Sequence, residues 1–224
     1  MSVNFGDDHP DSLPIPDCLR VAPSTEPAEW VIESLWPWWQ GGFKVGCLVP
    51  STYEAFARIA HDGVGEGSLP RNVVRSLEPL LGRHSTSDRA WYAVWNGWGT
   101  FGPGVSFGPL RATRRTRAER AENRQLFERI QAALARVPQL RIPGRAYYLF
   151  VGSIGCAASL EISGMYQSAS MWWAADRAWF LATEVDASFT IVGASRACID
   201  EITSSLYATE VRAGDLIVWE NPRE

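Results

Sequence analysis

The sequence has little lysine and histidine, and its cysteines are widely spaced, which argues against several classes of site. Lys44 is the one lysine among 21 basic residues, and the three histidines show neither HxxxH nor HxxE spacing. The four cysteines form no CxxC motif and no Cys/His pair. We therefore expect free thiols, no metal site and no cofactor.

Long apolar runs are also missing, since no stretch of 18 apolar residues occurs, and no membrane-spanning helix is expected. The first residues, MSVNFGDDHPDSLP, are acidic and contain neither the basic nor the apolar region of a secretory signal. These features predict a cytoplasmic protein without membrane partners. The predominance of arginine over lysine is typical of a GC-rich genome.

The composition is that of a globular protein, with 46% hydrophobic residues, a net charge of −4 and 11 tryptophans in 224 residues. This length predicts a single domain. Residues 1–24 hold four prolines and four aspartates, which predicts an extended N-terminal arm followed by a domain over 25–224. Tryptophans at this density either pack the core or line a groove or pocket.

Hydrophobic periodicity predicts helices after Ser24 or Thr25, over Leu69–Leu81, up to about Arg136, and after Ser195. It predicts strands over the following ranges: Phe43–Val49, Arg89–Trp95, Leu140–Ile142, Ala146–Gly152, Arg177–Val185, Phe189–Val192 and Asp215–Trp219. Residues 53–61 fit either a helix or a strand, and we favour a hairpin with 43–49. The fold predicted is a single α+β domain, with a mixed or mainly antiparallel sheet packed by three to four helices.

Two catalytic motifs are only partly matched. Residues 97–102 fit GxGxxG, but Pro103, Gly104 and Pro109 prevent the helix that a dinucleotide site requires. Ser195 lies between a strand and a helix as a nucleophile elbow does, yet the final glycine of GxSxG is missing and every histidine precedes it. We expect a glycine-rich loop and a helix N-cap.

Two other charged features of the sequence do not indicate a specific binding or metal site. Six arginines between 111 and 124 face only two glutamates, but no aromatic residues interleave with them, so nucleic acid is not expected as a partner. His61 and Asp62 point to opposite faces of a strand and predict a solvated strand end.

The most concentrated set of polar and aromatic residues lies at 172–186. Glu184 and Asp186 share a strand face by period two, where paired carboxylates can carry out acid–base chemistry, or one of them can simply pair with Arg177. Trp91 and Trp95 share a face of the neighbouring aromatic strand. The candidate binding residues are Trp95, Trp98, Trp172, Trp173, Asp176, Arg177, Glu184 and Asp186.

Three segments carry a resemblance to known proteins: LVPSTYEAFARIAH, WYAVWNGWG and WWAADRAWFLATEVDASFTIVGAS. Together they resemble an uncharacterised family of actinobacterial proteins, which implies no activity and no functional residues. The segment LVPSTYEAFARIAHDG is also similar to the opening of the SUKH superfamily, which includes toxin-immunity proteins. That similarity implies a helix at 53–61. At position 62 this chain has aspartate, whereas the superfamily usually has asparagine.

Two functions follow as hypotheses. The first is a non-catalytic binding or interaction protein, immunity-like or regulatory, whose acidic surface suits a basic protein partner or whose pocket holds a small ligand. The second is an enzyme with an unfamiliar site around Asp176, Arg177, Glu184 and Asp186. A deep pocket holding the carboxylates among tryptophans favours the enzyme, and a flat aromatic surface with salt-bridged carboxylates favours the binding protein.

Overall fold

In the computed structural model, residues 13, 15–37, 39, 41–61, 67–97, 117–162 and 165–217 are described. Their strands are β1 Leu19–Val21, β2 Ala55–Ala60, β3 Arg89–Trp95, β4 Gln139–Ile142, β5 Arg145–Ser153, β6 Glu161–Ile162, β7 Met165–Tyr166, β8 Met171–Ala174, β9 Trp179–Thr183, β10 Phe189–Ala194 and β11 Ala208–Val211. The α-helices are α1 Glu29–Ser34, α2 Arg71–Arg83, α3 Arg117–Leu134 and α4 Arg196–Ser205.

One large sheet organises the fold. Its strands follow the order β1-β5-β3-β8-β9-β10-β2-β11, with β4 also paired to β5, and β6 and β7 form a separate small hairpin. Every strand pair among the described residues is antiparallel. The predicted α+β class with a mainly antiparallel sheet is therefore confirmed.

One face of the sheet, here called face A, packs against the longer helices. Apolar residues at helical spacing on α2 and α4, including Leu77, Leu81 and Ile199, meet inward side chains such as Tyr92 and Trp172. The end of α3 joins the same cluster. Face A is therefore the main helix-on-sheet core.

The opposite face, face B, is covered by α1 and by residues 43–49 rather than by long helices. Val31 and Val49 are fully buried there against sheet residues such as Trp173 and Phe180. Trp30 packs edge-on against both of these rings, at 6.4 and 5.9 Å between centroids. Both faces are covered, and this explains why β9 and β10 consist of buried residues without alternation.

The elements predicted from strong periodicity are confirmed. The helix expected at 69–81 is α2, and the strand expected at 89–95 is β3 with the same bounds. The hairpin around Pro143 and Gly144 joins β4 to β5. Ser195 caps α4 by accepting a hydrogen bond from the Cys198 amide, as predicted.

The prediction of a strand over Phe43–Val49 is wrong. Val45–Cys47 is a 3₁₀ turn, in which the amides of Cys47 and Leu48 bond back three residues. The apolar side chains that favour a strand at 43–49 instead pack onto face B of the sheet. Residues 55–60 do form a strand, but β2 pairs with β10 and β11 instead of with 43–49.

Other strands differ from the predictions as well. Met171–Ala174, which is not among the predicted strands, is the central strand β8, buried on both faces. The last strand among the described residues is β11 at Ala208–Val211. The expected strand at 215–219 is described only as far as residue 217, with an isolated bridge from Leu216 to Lys44. Short runs of this kind carry too few residues to display a period.

The arm expected at 1–24 enters the sheet along its described part. Leu19–Val21 pairs with β5, and Leu19 is 1% exposed in the face A cluster. The Ala22 amide then bonds to the Leu149 carbonyl at 3.0 Å. This end of the arm is therefore part of the domain.

Candidate functional site

The two adjacent tryptophans of the expected surface lie in the core. Trp172 points to face A, 3% exposed, with its ring 5.2 Å from that of Trp179. Trp173 points to face B, 1% exposed, and stacks on Phe180 at 5.5 Å. Consecutive residues of a strand point to opposite faces, so these rings do not form one surface with each other.

Asp176 and Arg177 lie in the turn between β8 and β9 and stabilise it. The Asp176 carboxylate accepts hydrogen bonds from the Thr86 amide and hydroxyl, both at 2.7 Å, and from Ser85 and the Ala178 amide. Partial burial opposes its ionisation, but these donors together hold the pKa of Asp176 below its usual value. Arg177 has a φ of 60° and lies 4.8 Å above the Trp30 ring.

Glu184 and Asp186 lie at the other end of β9, so the structure separates them from Asp176 and Arg177 by the length of that strand. Both follow the strand rather than sharing its face, in a turn closed by the Ala187 amide bonding to the Glu184 carbonyl at 3.0 Å. The two carboxylates nevertheless converge. They meet on the guanidinium of Arg145, which ion-pairs with Glu184 and lies 3.3 Å from Asp186.

Arg145 is a residue that the sequence analysis missed, because Arg177 was taken as the partner of the carboxylates. Arg145 is the first residue of β5, directly after the Pro143-Gly144 turn, and it is about 40 residues from Glu184 in sequence. The predicted turn was the available signal, but only the sheet order brings this hairpin end beside the turn after β9.

The environments of the two carboxylates differ strongly. Glu184 is 7% exposed and accepts a bond from the Val185 amide at 2.8 Å, whereas the side chain of Asp186 is 72% exposed. Burial raises the pKa of Glu184, although Arg145 and the Val185 amide oppose that rise. The pair thus consists of one carboxyl held inside the protein and one in solvent.

These charged groups belong to the lining of a cavity of about 470 Å³ on face B, here called the α1 pocket; the part lined by Arg145, Glu184 and Asp186 is called its charged end. Its walls are mainly apolar and aromatic side chains from α1, the segment after it and the sheet, among them Ile32, Leu35, Trp36, Trp39, Phe43 and Met171. Its polar lining comprises Cys47, Arg145, Tyr147, Thr183, Glu184 and Asp186. Burial raises the pKa of Tyr147, so its hydroxyl stays neutral.

Of the two remaining candidate residues, Trp95 lies in the described part of the chain and Trp98 does not. Trp95 is half-buried on face B, and the Arg145 guanidinium lies 5.5 Å from its ring. Trp98 lies outside the described residues, as do Arg111, Arg114 and Arg115 of the basic segment and the glycine-rich loop beyond Gly97.

His61 is not the solvated strand end that the sequence predicts, because it is 3% exposed. Its Nε2 lies 3.3 Å from the Thr190 hydroxyl, which lies 2.7 Å from the Thr183 hydroxyl at the edge of the α1 pocket. The neighbouring strand β10 supplies the polar partner that makes burial of the imidazole tolerable.

The described residues contain neither a candidate metal-binding group nor a candidate membrane-spanning helix. No group of three or more histidine, cysteine, aspartate or glutamate side chains there is placed to hold a metal ion. Among the helices of the described chain, none is long and apolar enough to cross a membrane. All four cysteines are described, and all are free thiols.

Comparisons of this chain with protein-family models, with curated proteins and with solved structures give no match. The resemblances to an actinobacterial family and to the SUKH superfamily therefore stay predictions. The α1 pocket and its charged end are the features of the described residues that bear on function.

Proposed function

We propose that this protein binds a small, largely aromatic or apolar molecule in the α1 pocket and that it does so without catalysis. The observation that carries the proposal is a concave apolar cavity with a few charged groups at one end. Small-molecule sites commonly measure about 300–1,000 Å³ and combine apolar walls with a few placed polar groups. The α1 pocket, at about 470 Å³, has this size and this division.

Trp36 and Trp39, here called the aromatic rim of the pocket, favour a ligand with a flat ring. Trp36 is 39% exposed and Trp39 is 60% exposed, although both are large apolar side chains, and both line the pocket. A ligand that covers such rings removes apolar surface from water, which stabilises the complex by about 25 cal/mol for each Å² that is buried. A ring of indole size therefore gains free energy on entering without any new ion pair.

The pocket that holds the carboxylates near tryptophans is the feature expected of an enzyme, but both carboxylates are salt-bridged to Arg145, and this pairing supports binding over chemistry. A carboxylate held by a guanidinium is a positioned hydrogen-bonding group; burial raises the pKa of Glu184, and its partner Arg145 opposes that rise. Catalysis by general acid and base requires in addition a proton acceptor that is free to exchange with the ligand. The pocket offers a fixed polar anchor for a ligand group.

Calorimetric titration with indole tests this proposal. We expect saturable binding that weakens by about tenfold in Trp36→Ala and in Trp39→Ala, since each loses a ring contact. Tyr207→Ala is the matched control, because Tyr207 is an exposed aromatic residue (85%) away from the pocket. Equal affinity in all four proteins would mean that indole binds elsewhere, and no binding at millimolar concentration would contradict the proposal.

An enzyme is the second candidate, and the buried carboxyl of Glu184 favours it. Its raised pKa and its place in the pocket lining are typical of a group that exchanges protons with a substrate. Such a site would use Glu184, Asp186 and Arg145, without Asp176 and Arg177. The distinguishing measurement is mass spectrometry of a pocket ligand after incubation: a covalent change that disappears in Glu184→Gln would support the enzyme.

The immunity-like form of the binding hypothesis predicts a protein partner instead. A stable protein interface buries roughly 800 Å² on each side, far more than the mouth of a small pocket. That hypothesis predicts a complex of defined stoichiometry with a basic protein. If the Trp36→Ala variant lost such a complex while indole binding by the parent protein was absent, the partner would replace the small ligand.

A further inference from the structure

We propose that the ligand of the α1 pocket carries a positive charge, as a protonated amine does, and that Asp186 and Glu184 select this charge. The inference rests on the proposed function and specifies its ligand class. Three observations carry it: the balance of charge at the charged end, the engagement of Arg145, and the aromatic side chains of the lining.

The charged end of the pocket is acidic. Among the described residues of the lining, two carboxylates, Glu184 and Asp186, face one guanidinium, that of Arg145, so one negative charge is left when both carboxyls are ionised. The three groups lie in the lining together. A cation entering the pocket restores neutrality, whereas an anion adds a second uncompensated negative charge in a site that is partly shielded from water.

Arg145 is already engaged by partners of its own. It pairs with the buried Glu184, lies 3.3 Å from Asp186, and has its guanidinium 5.5 Å from the Trp95 ring. A ligand carboxylate would have to displace Asp186 or break the pair with Glu184, which leaves a buried charge uncompensated. Arg145 therefore acts to position the carboxylates and does not serve as an open anion site.

The aromatic lining adds to the preference for a cation. Trp36, Trp39, Phe43 and Tyr147 all border the pocket. The face of an aromatic ring carries partial negative charge and attracts ammonium groups, most strongly where water is partly excluded. Carboxylates beside such rings form the combination that recognises alkylammonium ligands.

The test uses three ligands with one ring and different charges at pH 7: tryptamine as cation, tryptophol as its neutral counterpart, and indole-3-acetate as anion. Titration calorimetry of the full chain should give roughly tenfold tighter binding of tryptamine than of tryptophol, with indole-3-acetate the weakest. In Asp186→Asn the preference for tryptamine over tryptophol should fall about threefold or more.

Asp200→Asn is the matched control, because it removes one exposed acidic charge on α4, on the opposite side of the sheet. It should leave the preference unchanged. Glu184→Gln, which retains the shape of the side chain and removes one negative charge, should also reduce the preference.

The outcomes separate this inference from the proposed function. Equal binding of the three ligands would overturn the charge selection and leave the pocket as a small-molecule site. Tightest binding of indole-3-acetate would overturn it too and would assign Arg145 as the anchor. If none of the three ligands binds, the proposed function fails and this inference fails with it.

Discussion

Two glutamates of this protein show how surroundings set the behaviour of one residue type. Burial raises the pKa of Glu184, whereas hydrogen bonds from Arg83 and His84 lower the pKa of Glu201 on the surface of α4. In the first case folding opposes ionisation, and in the second case folding favours it. Stability must therefore depend on pH with opposite signs at the two positions.

For Glu184 the folded-state pKa lies above the ordinary pKa of a glutamate, so its protonated form contributes stability that is lost as pH rises through the folded pKa. Glu184→Gln keeps the neutral form at every pH. We expect the stability of this variant, relative to the parent protein, to increase from about pH 4 to about pH 7. Denaturant unfolding at several pH values measures the difference.

Glu201→Gln is the control with the opposite sign. The folded pKa of Glu201 is lowered, so its ionised form contributes stability that is lost as pH falls through that pKa. The variant should become less stable relative to the parent protein as pH rises from about 3 to about 5. If both variants show the same sign, the assigned environment of Glu184 is wrong.

At the scale of elements, the 3₁₀ turn Val45–Cys47 holds one wall of the α1 pocket. The Trp36 amide bonds to the Gly46 carbonyl at 2.8 Å, and a Cβ added to Gly46 would lie 2.7 Å from the Trp36 ring. The absence of a side chain at Gly46 therefore allows the ring to lie against the turn.

Gly46→Ala should displace the Trp36 ring and weaken indole binding by about tenfold. The added Cβ would lie 2.7 Å from the ring, which is closer than two carbon atoms can approach without a shift. Gly82→Ala on α2 is the control, since an added Cβ meets nothing within 4 Å there and alanine favours a helix. Indole titration and the near-ultraviolet dichroism of tryptophan are the measurements. Unchanged binding and dichroism in Gly46→Ala would show that the ring is placed by other contacts.

At the scale of the whole molecule, the N-terminal arm closes one edge of the sheet. Residues 1–20 look dispensable from their proline and aspartate content, but Leu19 is fully buried and β1 pairs with β5. An edge strand that is paired in this way contributes both backbone hydrogen bonds and apolar burial. Its removal exposes the edge of β5.

Deletion of residues 1–20 should therefore lower the free energy of unfolding by about 2 kcal/mol or more, the value of burying one leucine. Leu19→Ala should reproduce most of this loss. Arg20→Ala is the control, because the neighbouring Arg20 side chain is exposed. A deletion variant with an unchanged unfolding midpoint would mean that β1 adds nothing to stability.

The sequence by itself determined the elements whose pattern is long enough to repeat. Leu77, Leu80 and Leu81 recur at helical spacing in α2, the aromatic strand β3 keeps its predicted bounds, and Ser195 predicts the start of α4. These properties are local, because hydrogen bonds and side-chain periods within one element fix them. The α+β class follows from their order along the chain.

Only the tertiary structure decided which residues meet. Phe43–Val49 and Met171–Ala174 are both short apolar runs, yet the first covers face B as a turn and the second is a central strand. Arg145, rather than Arg177, joins Glu184 and Asp186. Pairing between distant strands sets such contacts, and their free energy comes from surfaces that no single segment contains.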